Sequence, residues 1–225
     1  MRDIQKISFS YGNFDAIICI NGKLPEAELI KKFEGSTIVC ADGAANKLIE
    51  YDIPINFIVG DLDSIDVDLV KSKYGEDSII HDPDQDTNDF EKCLQFCQSH
   101  EWSKLLVLGI HGHLLEHTIN NWSVLKRFSK VLDIVIYDDG RYAFTISKDC
   151  SILVEPDEIL SLIPQTQCEL STQGMQWELD KELLTIGSKE GARNRATQKV
   201  VHIQIHSGQI LFFCNSRIPK AINRA

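Results

Sequence analysis

Up to the turn signal Asp138-Asp139-Gly140, hydrophobic positions along this 225-residue chain fall into short β-branched runs that alternate with stretches of helical period. That alternation is the pattern of strand-helix-strand units around a parallel sheet. The runs predict strands over residues 16–20, 37–40, 56–59, 78–80, 104–108 and 133–137. Helices are predicted between them over 25–33, 44–51, 66–74, 88–99 and 115–128. In the fourth helix Phe90, Leu94 and Cys97 recur at i, i+4 and i+7, which gives it one apolar face to lay on the sheet. Beyond residue 140 the helical period fades, and short apolar runs take over at 151–154, 159–163, 168–172, 199–205 and 209–214. Each is too short to bury a core alone, and together they predict a small β-sandwich. The expected architecture is α/β: an N-terminal parallel-sheet, Rossmann-like domain over 1–145, then a small all-β sandwich domain over 146–225.

Composition narrows the function. A chain that is 43% hydrophobic and 25% charged can bury a substantial core. The formal charge of −10, from 23 basic and 33 acidic residues, repels polyanions. It argues against nucleic acid and against an anionic membrane surface as partners. No apolar run approaches the roughly 20 residues that span a bilayer. No signal-peptide core follows Met1-Arg2-Asp3-Ile4-Gln5-Lys6, so a cytoplasmic location is expected. The 7 cysteines are odd in number and sit mostly inside apolar runs such as Ile17-Ile18-Cys19-Ile20, which predicts buried thiols rather than disulfides. Cys93 and Cys97 lie one helical turn apart near His100, but no second ligand pair follows at a zinc-like spacing.

The candidate chemistry sits where predicted strands end. Asn56-Phe57-Ile58-Val59-Gly60 leads into Asp61-Leu62-Asp63-Ser64, and ligands of open parallel sheets bind beyond the carboxyl ends of strands. Two carboxylates held close together repel each other, and a hard divalent cation stabilises both as anions; the alternative is that Asp63 or Ser64 caps the next helix. A second strand exit, His81-Asp82-Pro83-Asp84-Gln85-Asp86-Thr87-Asn88-Asp89-Phe90-Glu91, carries five acids. Capping of the following helix by Asp86, with Asp89 three residues on, accounts for two of them. Asp82, Asp84, Gln85, Thr87 and Asn88 remain over, and two acidic clusters at neighbouring strand ends argue for magnesium. Ala41-Asp42-Gly43-Ala44-Ala45-Asn46 is a third strand exit, either a close backbone approach to a ligand or a tight turn with small residues. A fourth, Gly109-Ile110-His111-Gly112-His113-Leu114-Leu115-Glu116-His117-Thr118, lacks the metalloprotease order; Glu116 and His117 read as crevice residues or caps. Neither a P-loop nor a dinucleotide fingerprint is present, so anionic ATP would be held through bound cations.

In their order and spacing these segments, with Ser161-Leu162-Ile163-Pro164 and Gly174-Met175-Gln176-Trp177-Glu178-Leu179, resemble the thiamine pyrophosphokinase family over nearly the whole chain. That family moves a diphosphate from ATP to the hydroxyl of thiamine and releases AMP. The resemblance implies a homodimer of two-domain subunits with active sites shared between copies, and ATP and thiamine as substrates. It implies Asp61, Asp63 and Asp89 as magnesium ligands, and Asp42, Gln85 and Ser64 as contacts to ATP. Asn88 falls where the two substrates meet, with Glu116, Arg193 and Asn194 on the acceptor side. Asp89 and Asp86 are alternative acceptors of the hydroxyl proton. Two departures stand out. Leu114 replaces an Arg of the family pattern, and Gly191-Ala192-Arg193-Asn194 keeps only the Asn of a Ser-x-Ser-Asn element. The other readings are a non-catalytic ATP- and magnesium-binding homologue, a diphosphokinase with another hydroxylated acceptor, and a magnesium-dependent phosphohydrolase suggested by Asp61-Leu62-Asp63-Ser64.

Overall fold

The structure is a computed structural model that describes residues 4–33, 35–112 and 114–225; His113 therefore lies outside the described residues. The chain forms two compact units. One is Asn13–Asp139; the other joins the described residues up to Gly12 with Gly140–Ala225. The expected boundary near residue 145 thus moves to 139/140. The first strand, β1 (Gln5–Ser10), leaves the expected N-terminal domain for the second unit.

The Asn13–Asp139 unit alternates strand and helix as its hydrophobic pattern dictates. In chain order it runs β2 (Ala16–Cys19), α1 (Ala27–Ile30), β3 (Ile38–Ala41), α2 (Asp42–Glu50), β4 (Phe57–Gly60) and α3 (Val67–Tyr74). It continues with β5 (Ile79–His81), α4 (Asp89–Ser99), β6 (Lys104–Leu108), α5 (Leu115–Phe128) and β7 (Asp133–Asp138). The sheet order is β7-β6-β2-β3-β4-β5, every neighbouring pair parallel. From β2 the chain steps outward through β3, β4 and β5, then returns to the far side of β2 for β6 and β7. The carboxyl ends beside that reversal are where open α/β sheets bind ligands.

The β-branched strand runs are apolar throughout because the sheet is covered: Ile17, Ile18, Val39, Leu106, Val107 and Val135 are fully buried. α4 packs against β3 and β4. It buries the predicted Phe90, Leu94 and Cys97 together with Cys93, each large side chain contributing about 1.5–3 kcal/mol. Two helices differ from expectation. The predicted 25–33 helix is a single α-helical turn, Ala27–Ile30, followed by a 3-10 turn over Lys31–Phe33. α2 starts at Asp42 rather than residue 44, which puts Asp42 and Gly43 in its first turn.

The second unit is built on two long strands. After β8 (Arg141–Ile146) and β9 (Cys150–Leu153) come β10 (Ile159–Gln173), β11 (Glu182–Thr185), β12 (Gly191–Arg195), β13 (Val200–Asn215) and β14 (Ala221–Arg224). The runs predicted at 159–163 and 168–172 are one strand, β10, and those at 199–205 and 209–214 are one strand, β13. These two pair antiparallel along most of their length, with the register breaking between Pro164 and Cys168 opposite Gly208. A Cβ at Gly208 would lie 2.3 Å from the Gln167 carbonyl oxygen, and its φ is +76°, so glycine is required where the pair bends. On its other edge β13 pairs first with β9 and then with β8; β10 pairs with β12 and then with β11. β1 closes the layer between β9, parallel to it, and β14, antiparallel to it. The result is the expected sandwich-like β unit.

All seven cysteines are free and buried. Burial lifts the Cys97 thiol to about 12 and Cys93 well above its ordinary value, which leaves neither a ready metal thiolate.

Candidate active site

Three strand exits of the Asn13–Asp139 unit converge on one set of carboxylates. Oxygens of Asp42, Asp61 and Asp63 lie within 4.8 Å of one another. Asp42 opens α2 directly after β3 and is only 2% exposed. Its carboxylate accepts the Gly43 N–H at 2.5 Å and the Leu62 N–H at 2.9 Å, tying the β3 exit to the β4 exit. Leu62 adopts φ +68°, a left-handed conformation unusual for a branched side chain and held here by that bond. Gly60 is small for the same reason: a Cβ there would sit 2.9 Å from the Asp42 Cγ. Asp61 accepts from the Gln85 side-chain amide at 3.1 Å, which draws in the loop after β5. Asp63 accepts from Ser64 Oγ at 2.8 Å, and Asn46 of α2 donates to the Ser64 carbonyl at 2.8 Å.

The loop after β5 is organised by its own acids. Asp82 accepts the Asp84 N–H, and Asp84 accepts both the Asp86 N–H and the Thr87 hydroxyl. Asn88, not Asp86, caps α4: its side-chain oxygen accepts the Glu91 N–H at 2.9 Å while its amide donates to Asn121 of α5 at 3.0 Å. Asp86 is left exposed on the loop. Asp89, the first residue of α4, stands outside the 4.8 Å group, although the family resemblance implies it as a magnesium ligand beside Asp61 and Asp63.

Electrostatics separates these acids. Burial raises Asp42; the Gly43 and Leu62 N–H groups act against this, and the Asp61 and Asp63 charges add to it. The Gln85 amide holds Asp61 below the ordinary carboxylate range, and the Asp86 N–H does the same for Asp84. Asp89 is pushed up to about 6, first by burial and then by the Asp42 charge, against the opposing charge of Lys92. Three hard oxygen donors, two of them accessible, fit a divalent oxygen-seeking cation and supply no soft ligand.

Lys92 is the residue that sequence reasoning missed. It is 3% exposed, and its charge bears on Asp61, Asp84 and Asp89. The sequence signal was weak: a lysine three residues after Asp89, one turn along α4 but on the side away from Phe90, Leu94 and Cys97, where the period predicts an exposed residue.

Models of two families match the chain: thiamin pyrophosphokinase, catalytic domain, over residues 30–136, and thiamin pyrophosphokinase, vitamin B1 binding domain, over residues 145–210. The chain belongs to the thiamin pyrophosphokinase family. Among curated relatives, a thiamine pyrophosphokinase 1 of Oryza sativa subsp. japonica is 28% identical over 225 residues, covering 87% of this chain and 85% of the relative. A thiamin pyrophosphokinase 1 of Caenorhabditis elegans is 26% identical over 190 residues, 76% of each chain. Solved structures agree on the fold. A yeast thiamin pyrophosphokinase superposes with TM-score 0.76 at 19% identity, covering 96% of this chain and 92% of that one. One from Bacillus subtilis gives 0.75 at 17%, covering 90% and 100%.

The remaining residues that the sequence and the thiamin pyrophosphokinase resemblance singled out are placed as follows. Glu116 and His117 lie exposed in the first turn of α5, whose N-cap Leu114 makes no side-chain cap bond, so neither is a cap. His111 pairs with Asp138 at the end of β7, 2.8 Å away. In the second unit Asn194 is 6% exposed and fully engaged: its oxygen accepts the Trp177 and Arg195 N–H groups and its amide donates to the Trp177 carbonyl. It braces the turn that carries Trp177, with both oxygen lone pairs used and one amide N–H left to donate. Arg193 is exposed on β12.

Proposed function

We propose that this chain is a thiamine diphosphokinase, transferring the diphosphate of ATP to the hydroxyl of thiamine to give thiamine diphosphate and AMP. The observation that carries the proposal is the Asp42, Asp61 and Asp63 cluster at the ligand-binding edge of a parallel sheet, within the segment matched by the catalytic-domain model. In this reading the cluster holds magnesium, which supplies neutralisation of the triphosphate and an in-line orientation for attack.

The chain's own residues do the rest. Asp61 stays anionic because Gln85 donates to it, and the same amide offers a neutral donor beside the cluster for a phosphate oxygen. Ser64 and Asn88 provide further polar contacts at the strand ends, with Asn88 also fixing α4. Lys92 offers a desolvated ammonium beside the acids for charge that builds on the leaving AMP. Asp89 takes the thiamine hydroxyl proton as the oxygen attacks the β-phosphorus. A partly buried carboxyl poised near neutrality is a better base than the exposed Asp86. The proposal includes a homodimer with shared sites, on the strength of the family resemblance. No observation favours hydrolysis, a non-catalytic role or another acceptor.

The test is incubation of the purified chain with ATP, magnesium and thiamine, followed by chromatography of the nucleotides. Equimolar AMP and thiamine diphosphate are expected, and ATP binding without thiamine-dependent AMP would reject the reading.

A further inference from the structure

Among the described residues, the second unit carries two arginines, Arg141 and Arg193, with no acid paired to them. Four strands, β8, β13, β10 and β12, lie side by side, and one face of this sheet forms a concavity of about 390 Å³. It is lined by Arg141, Ile159, Ser161, Ile163, Arg193 and Phe213. The register explains why these six meet. Ser161 stands opposite Phe213 and Arg141 opposite Asn215, while side chains two apart on one strand share a face. The volume falls within the range of small-molecule sites.

Among the described residues no carboxylate lines this concavity, although the chain has a formal charge of −10. Three other arginines show the contrast: Arg127 pairs with Glu91, Arg195 with Asp157 and Arg217 with Glu158. Among the described residues Arg141 has a neutral partner, the Asn215 side-chain oxygen at 3.1 Å, and no ion pair. The Arg193 side chain makes no ion pair or hydrogen bond among the described residues, yet its backbone is held at φ +57° with its N–H donated to Ser161 Oγ at 3.0 Å. A left-handed arginine inside a strand is a strained placement, of the kind that collects at ligand sites. Having accepted from Arg193, the Ser161 hydroxyl keeps its own proton to donate.

We propose that this concavity binds an organic phosphate or diphosphate. Its anionic head would bridge Arg141, Arg193 and Ser161, and its flat apolar body would lie on Ile159, Ile163 and Phe213. Two planar guanidinium forks match the several oxygens of a phosphoryl group better than the two of a carboxylate. The apolar floor selects an ester over the free inorganic ion. A cation such as thiamine would be repelled there, which sets this concavity apart from the acceptor side on which the family resemblance had placed Arg193.

The test is calorimetric titration of the intact chain with phenyl phosphate, and separately with inorganic phosphate, in EDTA without ATP or thiamine. Keeping out divalent cations silences the acidic cluster, so the outcome is independent of the proposed transferase activity. Saturable binding of phenyl phosphate is expected, at least about tenfold tighter than inorganic phosphate. Arg141→Gln and Arg193→Gln should each weaken it about tenfold, while Asp61→Asn leaves it unchanged; circular dichroism confirms that each variant is folded. Absence of saturable binding, or equal binding by the folded double variant, overturns the proposal. So does a double variant that dissociates in sedimentation while the parent binds no phosphate, because the guanidiniums would then face a second copy of the chain.

Discussion

Asp42, Asp61 and Asp63 gather oxygens within 4.8 Å, and three such charges repel one another unless a cation lies among them. Asp61→Asn and Asp63→Asn should therefore each lower thiamine-dependent AMP formation by at least about a hundredfold, as expected when a metal ligand of a phosphoryl-transfer site is lost. The thermal midpoint of the metal-free chain should stay level or rise. Full activity in both variants would remove the cluster from the mechanism. Asp89 makes a claim on pH. Its folded-state pKa of about 6 lies above its ordinary 3.8, so the folded chain holds this proton more tightly than the unfolded one. Stability from protonated Asp89 is fully present below pH 3.8 and is lost as pH rises through about 6. In EDTA, Asp89→Asn should stabilise the chain at pH 8 by about 1–2 kcal/mol, the burial penalty less what an acid gains at a helix N-terminus. At pH 4 it should change little. A variant less stable than its parent at pH 8 would contradict this account of Asp89.

Elements show how far the pattern of apolar positions reaches. All six strands of the parallel sheet and the buried face of α4 were legible, because covered strands and amphipathic helices leave strong periodic signals. The cap of α4 was not, since Asp86, Asn88 and Asp89 are all good capping residues and only geometry chooses Asn88. Asn88→Ala should lower stability in urea unfolding by about 1–2 kcal/mol, through the lost cap and the lost bond to Asn121. Asp86→Ala should cost under about 0.5 kcal/mol, as exposed substitutions do; the reverse ranking would restore Asp86 as the cap. The length of β10 was hidden by Pro164-Gln165-Thr166-Gln167, which reads as a loop. The chain passes through that segment as a bulged bend instead, with Thr166 at φ +82°. The family resemblance implied Asn194 on the acceptor side; the three bonds its side chain closes around Trp177 and Arg195 were not legible in the sequence.

For the whole molecule, the division into an α/β unit and a β unit followed from the change of period near residue 140, while the place of β1 did not. Its partners Ala221, Ile222, Asn223 and Arg224 lie at the opposite end of the chain, and no local pattern announces pairing at that separation. The membership of the acidic cluster was half legible. Asp61 and Asp63 are neighbours in sequence, whereas Asp42 joins them through the Leu62 N–H, a contact between two strand exits. The central claim is that this cluster serves transfer of an intact diphosphate rather than of a single phosphoryl group. Single turnover with ATP labelled at the β-phosphorus, magnesium and thiamine tests it most directly. The label should pass wholly into thiamine diphosphate, leaving unlabelled AMP; label recovered in ADP, or in free diphosphate at a rate indifferent to thiamine, would contradict it.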